Sequence, residues 1–190
     1  MRGRDQFQKY KTLFKILEKI YRIFPLSYRK KAFQRKRYSK GLYGIGIRYV
    51  LLKSISEKIG DNVSIHEGCF ILNPEGLQIG NNVSIHPMCY IDATGGIEIG
   101  NDVSIAHGVT IMSTSHQYED LSVPIKDQEV LSSRTKIGND VWIGAKSLIL
   151  YGKTIGSGSI IGGGTIVTDD VVPYSIFVGN PGKILKKRKV

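Results

Sequence analysis

The chain has 190 residues, 41% of them hydrophobic, and a formal net charge of +11 at pH 7. That length suits one domain with an appended arm, and no run of about 18 apolar residues is present to span a bilayer. The basic N-terminus lacks the apolar core and small-residue cleavage site of a secretory signal, and with only two cysteines, Cys69 and Cys89, a disulfide scaffold is not expected.

The charge is unevenly placed. Residues 1–58 hold 17 Lys and Arg against 3 Asp and Glu, whereas residues 59–190 hold 10 against 13. The cationic character belongs to an N-terminal arm, residues 1–58. Within it Tyr10, Leu13, Phe14, Leu17, Ile20, Tyr21 and Phe24 recur at intervals of three and four, with Lys9, Lys11, Lys15, Lys19 and Arg22 elsewhere. That spacing predicts a helix over 6–24 that ends near Pro25. Residues 29–40 then interleave seven cations with Phe33 and Tyr38. Two roles fit residues 1–40: lying on an anionic membrane surface, or capping an open end of the following domain or packing on a neighbouring subunit. Basic charge alone is weak support for nucleic-acid binding, so no nucleic acid is expected as a partner. Gly41–Gly46 contains GxG without a strand-to-helix phosphate motif around it and reads as a turn, with a short helix over 47–57.

From Ile59 to Val172 the chain keeps a six-residue beat. IGDNVS-IHEGCF starts at Ile59, IGNNVS-IHPMCY at Ile79, and IGNDVS-IAHGVT at Ile99. The beat resumes at Ile137 with IGNDVW-IGAKSL-ILYGKT and at Ile155 with IGSGSI-IGGGTI. Triplets such as Val83-Ser84-Ile85 alternate inward and outward, the periodicity of a strand. So short a strand buries nothing alone; three of them closing a triangle, with coils stacked ~4.8 Å apart, form a continuous core. The openers are spaced by 20, 20, 38 and 18 residues, which gives about five coils and one long insertion. Cys69 and Cys89 occupy equivalent inward slots of successive coils, where a free thiol packs as a small hydrophobe.

Residues 113–136 interrupt the beat. So long an excursion from a regular solenoid points to function rather than filler, and it can reach a neighbouring subunit. It carries His116, Tyr118 and Asp120. Of the four histidines, His66 and His86 hold equivalent positions of the first two coils, His107 lies at a corner, and His116 stands where the coil departs into the loop. A surface imidazole is usually only solvated, so position alone leaves the role of His116 open. His107 and His116 are nine apart, not the five of a two-histidine metal pair, and no metal site is expected. The repeats end at Val172-Pro173, and residues 173–190 form a basic tail.

IAHGVTIMSTSHQYED, KIGNDVWIGAKSLIL and VGNPGKILKK resemble the hexapeptide-repeat acyltransferases, over roughly residues 45–188. Within that family the chain is most similar to the maltose and galactoside acetyltransferase type, and closest to the O-acetyltransferases of surface-polysaccharide synthesis. The resemblance implies a mainly β fold, a left-handed parallel β-helix with a helical basic arm and a protruding loop, assembled as a homotrimer with active sites between subunits. It implies acetyl transfer from acetyl-CoA to a sugar hydroxyl, free or lipid-linked, in the cytoplasm or at the inner face of the membrane.

His116 matches the family's catalytic histidine, a general base suited to neutral pH. Ala145 matches the backbone N–H that faces the thioester oxyanion. Trp142, Gly163 and Thr168 match contacts to the pantetheine arm, and Lys183 stands where relatives carry an arginine near the nucleotide phosphates. His86 stands where the galactoside and maltose members have Asn, which leaves the acceptor sugar unassigned. Asp92, Tyr118 and Asp120 are candidates for acceptor contact or for orienting His116. A serine-acetyltransferase-like enzyme is the nearest alternative, although the large helical domain of that group is missing. A non-catalytic, membrane-attached β-helix scaffold is the other.

Overall fold

Left-handed backbone at fixed points turns the six-residue beat into a prism. Asn62, Asn82, Asp102 and Asp140 each take φ between 53° and 58° at the same corner of successive coils. Asn and Asp tolerate that region better than other side-chain-bearing residues. The glycine after each opening Ile answers to a different constraint: a Cβ on Gly80 would lie 2.7 Å from the carbonyl oxygen of Gly100 one coil above. Between these corners the computed structural model, which describes residues 3–189, shows three faces of short parallel strands.

The first face stacks Lys58–Ile59, Leu77–Ile79, Ile97–Ile99, Thr135–Ile137 and Thr154–Ile155. The second stacks Ser64–Ile65, Ser84–Ile85, Ser104–Ile105, Trp142–Ile143, Ile160–Ile161 and Ser175–Gly179, the last of which pairs antiparallel with Gly182–Lys187. The third stacks Phe70–Leu72, Tyr90–Asp92, Thr110–Ile111, Leu148–Ile149 and Ile166–Val167. The expected left-handed parallel β-helix is the fold observed, with five complete coils and a partial sixth that adds Val171 to the first face and Ser175–Gly179 to the second. Register follows the openers: Ile59 pairs with Ile79, Ile79 with Ile99, Ile99 with Ile137, and Ile137 with Ile155. All five are buried, as are Ile65, Ile85, Ile105, Ile143 and Ile161 on the second face.

Cys69 and Cys89 are buried and unpaired; their thiols donate to the carbonyls of His86 and Ala106. Deeper in the stack the same slot is filled by Ser147, whose hydroxyl is shared between the carbonyls of Gly144 and Gly162.

Three helices close the N-terminal end: α1 (Gly3–Arg22), α2 (Leu26–Arg35) and α3 (Gly41–Ile55). α3 lies on the first coil and buries Tyr49, Val50, Leu51, Leu52 and Ile55. The segment Gly41–Gly46, expected to be a turn, forms the first turns of α3. Its glycines serve packing instead: a Cβ on Gly44 would collide with the Ser39 carbonyl, and one on Gly46 would lie 3.1 Å from the Phe14 ring. Helix propensity argues against glycine there, and tertiary contact overrides it. Arg48, fully buried, ties the helices to the prism: Nε donates to Ile65 O at 2.8 Å, and Nη1 donates to Ser39 O at 2.6 Å and Lys36 O at 3.0 Å.

Candidate active site

The excursion after the third coil is a β-hairpin. Thr114–His116 pairs antiparallel with Val130–Ser132, placing His116 opposite Val130, and Gln117 N donates to Glu129 O to extend the ladder. Its foot is fastened to the coil below. The buried Ser113 hydroxyl donates to the backbone carbonyl of Asp92 at 2.6 Å and accepts from Gly95 N at 2.8 Å. His116 sits in the ladder with its side chain exposed, so a rigid backbone presents an imidazole to solvent.

Asp92 is almost buried, and its carboxylate accepts from Thr94 N, from the Thr94 hydroxyl and from the Thr114 hydroxyl. Farther along the hairpin, Asp120 accepts from the N–H and hydroxyl of Ser122, and these two bonds hold its carboxyl below the usual range. Gln128 Nε2 donates to the carbonyls of Asp120 and Val123, cross-bracing the tip. Tyr118 is exposed on the same segment.

The remaining candidates lie elsewhere on the prism. His66 and His86 follow the second face in the first two coils, their rings stacked at 5.0 Å and 5° from parallel. Burial, and then the neighbouring His86, lower the His66 pKa below its ordinary value. Ala145 and Gly163 occupy the same corner in the fourth and fifth coils, where a Cβ on Gly163 would lie 3.3 Å from Ala145 O. Trp142 projects outward from that face, 53% exposed, in register with Ser104 and Ile160. Lys183 is exposed and pairs with Val178 at the top of the same sheet.

One edge of the prism therefore carries His66, His86, Ala145 and Gly163, with Trp142 on the face leading to it. The next edge carries Asp92, the His116 hairpin and Thr168, whose hydroxyl donates to Asp169. The third face, one short strand per coil, separates the two edges. The structure brings together the candidates within each edge and not those of different edges.

Residues 134–169 match the family model described as bacterial transferase hexapeptide (six repeats). The chain shares its fold with a maltose O-acetyltransferase from Clostridium difficile 630, at a TM-score of 0.74 and 27% identity over 86% of each chain. A galactoside acetyltransferase in complex with coenzyme A superposes with a TM-score of 0.74 and 27% identity over 84% of this chain and 78% of that one. Residues 134–169 thus carry the hexapeptide repeat of that family, and the chain has the fold of these two acetyltransferases. Among curated relatives it is 41% identical over 80 residues to a probable acetyltransferase of Mycobacterium tuberculosis (strain ATCC 25618 / H37Rv), a stretch that is 42% of this chain and 27% of that protein.

Sequence reasoning missed two residues of the candidate site, Ser113 and Thr114. Their partners lie about 20 residues back, and the only signal was their place between the last regular block and His116. Among the described residues no three His, Cys, Asp or Glu side chains converge as a metal site.

Proposed function

We propose that the chain is an acetyl-CoA-dependent O-acetyltransferase acting on a sugar hydroxyl of a surface-polysaccharide precursor. The observation that carries this reading is His116, held in a hairpin ladder opposite Val130 with its imidazole exposed. Neutral imidazole accepts the proton of the acceptor hydroxyl as its oxygen attacks the thioester carbonyl. The carbon–sulfur bond then breaks, and the same proton passes from His116 to the departing thiolate. The Ala145 N–H is assigned to the oxyanion that forms in between.

The acetyl donor lies along the edge of Trp142, Ala145 and Gly163. An exposed indole supplies an apolar wall for the pantetheine arm, and two consecutive glycines, Gly163 and Gly164, leave the backbone open to close approach. Lys183 supplies charge toward the phosphates, and Thr168 a hydroxyl. The acceptor lies near His86 and Tyr118.

Because base and donor-binding edge are separated within one chain, we infer a homotrimer in which the hairpin of one subunit meets the Trp142 edge of its neighbour. A cytoplasmic setting accords with two buried, unpaired thiols. The test is release of free coenzyme A thiol from acetyl-CoA when the purified chain is supplied with oligosaccharide acceptors, with serine as the control. Release that requires a sugar hydroxyl is expected; release with serine alone, or none with any saccharide, removes the reading.

A further inference from the structure

We propose that the elbow between α1 and α2 is a docking surface for an anionic lipid membrane. α1 and the turn after it carry two apolar stripes. Phe7, Phe14, Leu17 and Tyr21 turn inward and pack on the core beneath the helices. Leu13, Ile16, Ile20 and Ile23, spaced by three, four and three, turn outward and are 48, 52, 45 and 81% exposed. Capping the prism uses only the inner stripe, so the fold gives no reason for the outer one.

The outer stripe runs into an aromatic pair at the elbow, Phe24 and Tyr28, with ring centroids 4.9 Å apart and the residues 42 and 47% exposed. Exposed cations flank it: Lys19 beside Ile23 on α1, and Lys31 and Arg35 one and two turns beyond Tyr28 on α2. Aliphatic and aromatic side chains ringed by Lys and Arg match the boundary between head groups and acyl chains, where the apolar groups enter by about 5–10 Å and the cations meet anionic heads. Among the described residues no helix is long and apolar enough to cross a membrane, so the docking is peripheral.

Charge orients the molecule. Cations outnumber anions 17 to 3 in residues 1–58, whereas anions outnumber cations 13 to 10 in the rest, so a negative surface attracts the elbow and leaves the prism facing away. The same distribution disfavours a second copy as the occupant, because two such arms repel. A nucleic acid would engage the cations but gains nothing from four exposed aliphatic side chains. The inference stands apart from the transferase reading, since lipid binding is measured without acetyl donor or acceptor.

The experiment is flotation of the full chain with vesicles of phosphatidylcholine alone and of phosphatidylcholine mixed with phosphatidylglycerol. Binding only to the mixed vesicles, weakening as salt rises, is expected. Ile20→Gln with Ile23→Gln should lower the partition coefficient by about tenfold or more. Lys19→Glu with Lys31→Glu should lower it by a similar factor. Both pairs lie on the surface, and an unchanged thermal midpoint confirms that the fold is kept. Three results overturn the proposal: no binding to the mixed vesicles, binding unaffected by the isoleucine substitutions, or a fall in oligomeric mass by light scattering when those isoleucines are changed, which would make the stripe a subunit contact.

Discussion

The Thr114 hydroxyl donates to the Asp92 carboxylate at 2.8 Å, joining the last residue of a second-coil strand to the first residue of the hairpin that carries His116. Hydrogen bonds to charged groups are worth roughly 1.5–3 kcal/mol. Asp92 thus sets the angle at which the hairpin leaves the prism, and His116 inherits that angle two residues later. Asp92→Ala and Thr114→Val should each speed hydrogen exchange at the amides of Ser115 and His116. If His116 is the base proposed above, each should lower kcat by about tenfold through its misplacement, with KM for acetyl-CoA unchanged. If Asp92→Ala is severe while Thr114→Val behaves as wild type, Asp92 contacts the acceptor and does not act through the hairpin.

As general base, His116 should contribute about 10²–10⁴-fold to the rate. His116→Ala should lose that factor while keeping assembly and acetyl-CoA affinity, because the edge proposed for the donor is the other one. His116→Asn should fail alike: an amide holds a hydrogen bond but does not accept a proton near neutral pH. Single-turnover measurement with excess acetyl-CoA checks this. A His116→Ala rate within about threefold of wild type would assign the proton transfer to another group.

The coils were legible in the sequence because a fixed period leaves no choice of register. Once Ile59, Ile79 and Ile99 share a position, Ile65, Ile85 and Ile105 must share another, and all are buried. The stacking of His66 on His86 follows from the same count. Two features were hidden because their causes are contacts rather than patterns. Gly44 and Gly46 look like turn residues until the Ser39 carbonyl and the Phe14 ring occupy the space of their missing side chains. The hairpin was hidden because Thr114–His116 and Val130–Ser132 are three residues each and too short to show alternation. The separation of His116 from Ala145 onto different edges was implicit in the block positions, but only the stacked coils make it a distance.

Ile105 tests the core. It is fully buried, in register between Ile85 and Ile143, and its burial is worth roughly 1.5–3 kcal/mol. Ile105→Asp would place a carboxylate among isoleucines and should abolish soluble expression. Ile105→Val should express and cost about 0.5–1.5 kcal/mol, read from a denaturant midpoint. Unchanged midpoints for Ile105→Val, or normal stability of Ile105→Asp, would show that this position does not face the prism interior.

Burial of His66, stacked on His86, should make stability depend on pH. Burial and then the neighbouring imidazole lower the His66 pKa from its ordinary value of 6.5. The unfolded chain therefore binds the proton more readily than the folded one, and stability falls as pH drops below about 6.5. Above that value both states are neutral at His66 and the penalty vanishes. His66→Asn should flatten thermal midpoints between pH 7 and pH 5 (about one proton's worth of slope). An identical pH dependence in that variant would place the acid sensitivity at other groups.

The division of the candidate site between two edges predicts complementation between inactive chains. His116→Ala removes the base on one edge and leaves the Trp142 edge intact. Gly163→Trp should block the proposed donor edge by bulk; the position is exposed, and a Cβ there would lie 3.3 Å from Ala145 O and 3.8 Å from Ala145 N, so a small local adjustment should let the prism survive. If each site takes its base from one subunit and its donor edge from the next, either variant alone is inactive. Coexpressed in equal amounts, the two would form mixed trimers if the proposed assembly holds. A site is then complete only when its donor edge comes from a His116→Ala chain and its hairpin from a Gly163→Trp chain, about one site in four by random assortment. Thiol release by the purified mixture should therefore recover to about a quarter of wild type. Sites built within single chains would give no recovery at all, because every chain in the mixture carries a defect. A wild-type monomer with full activity would exclude the shared site directly.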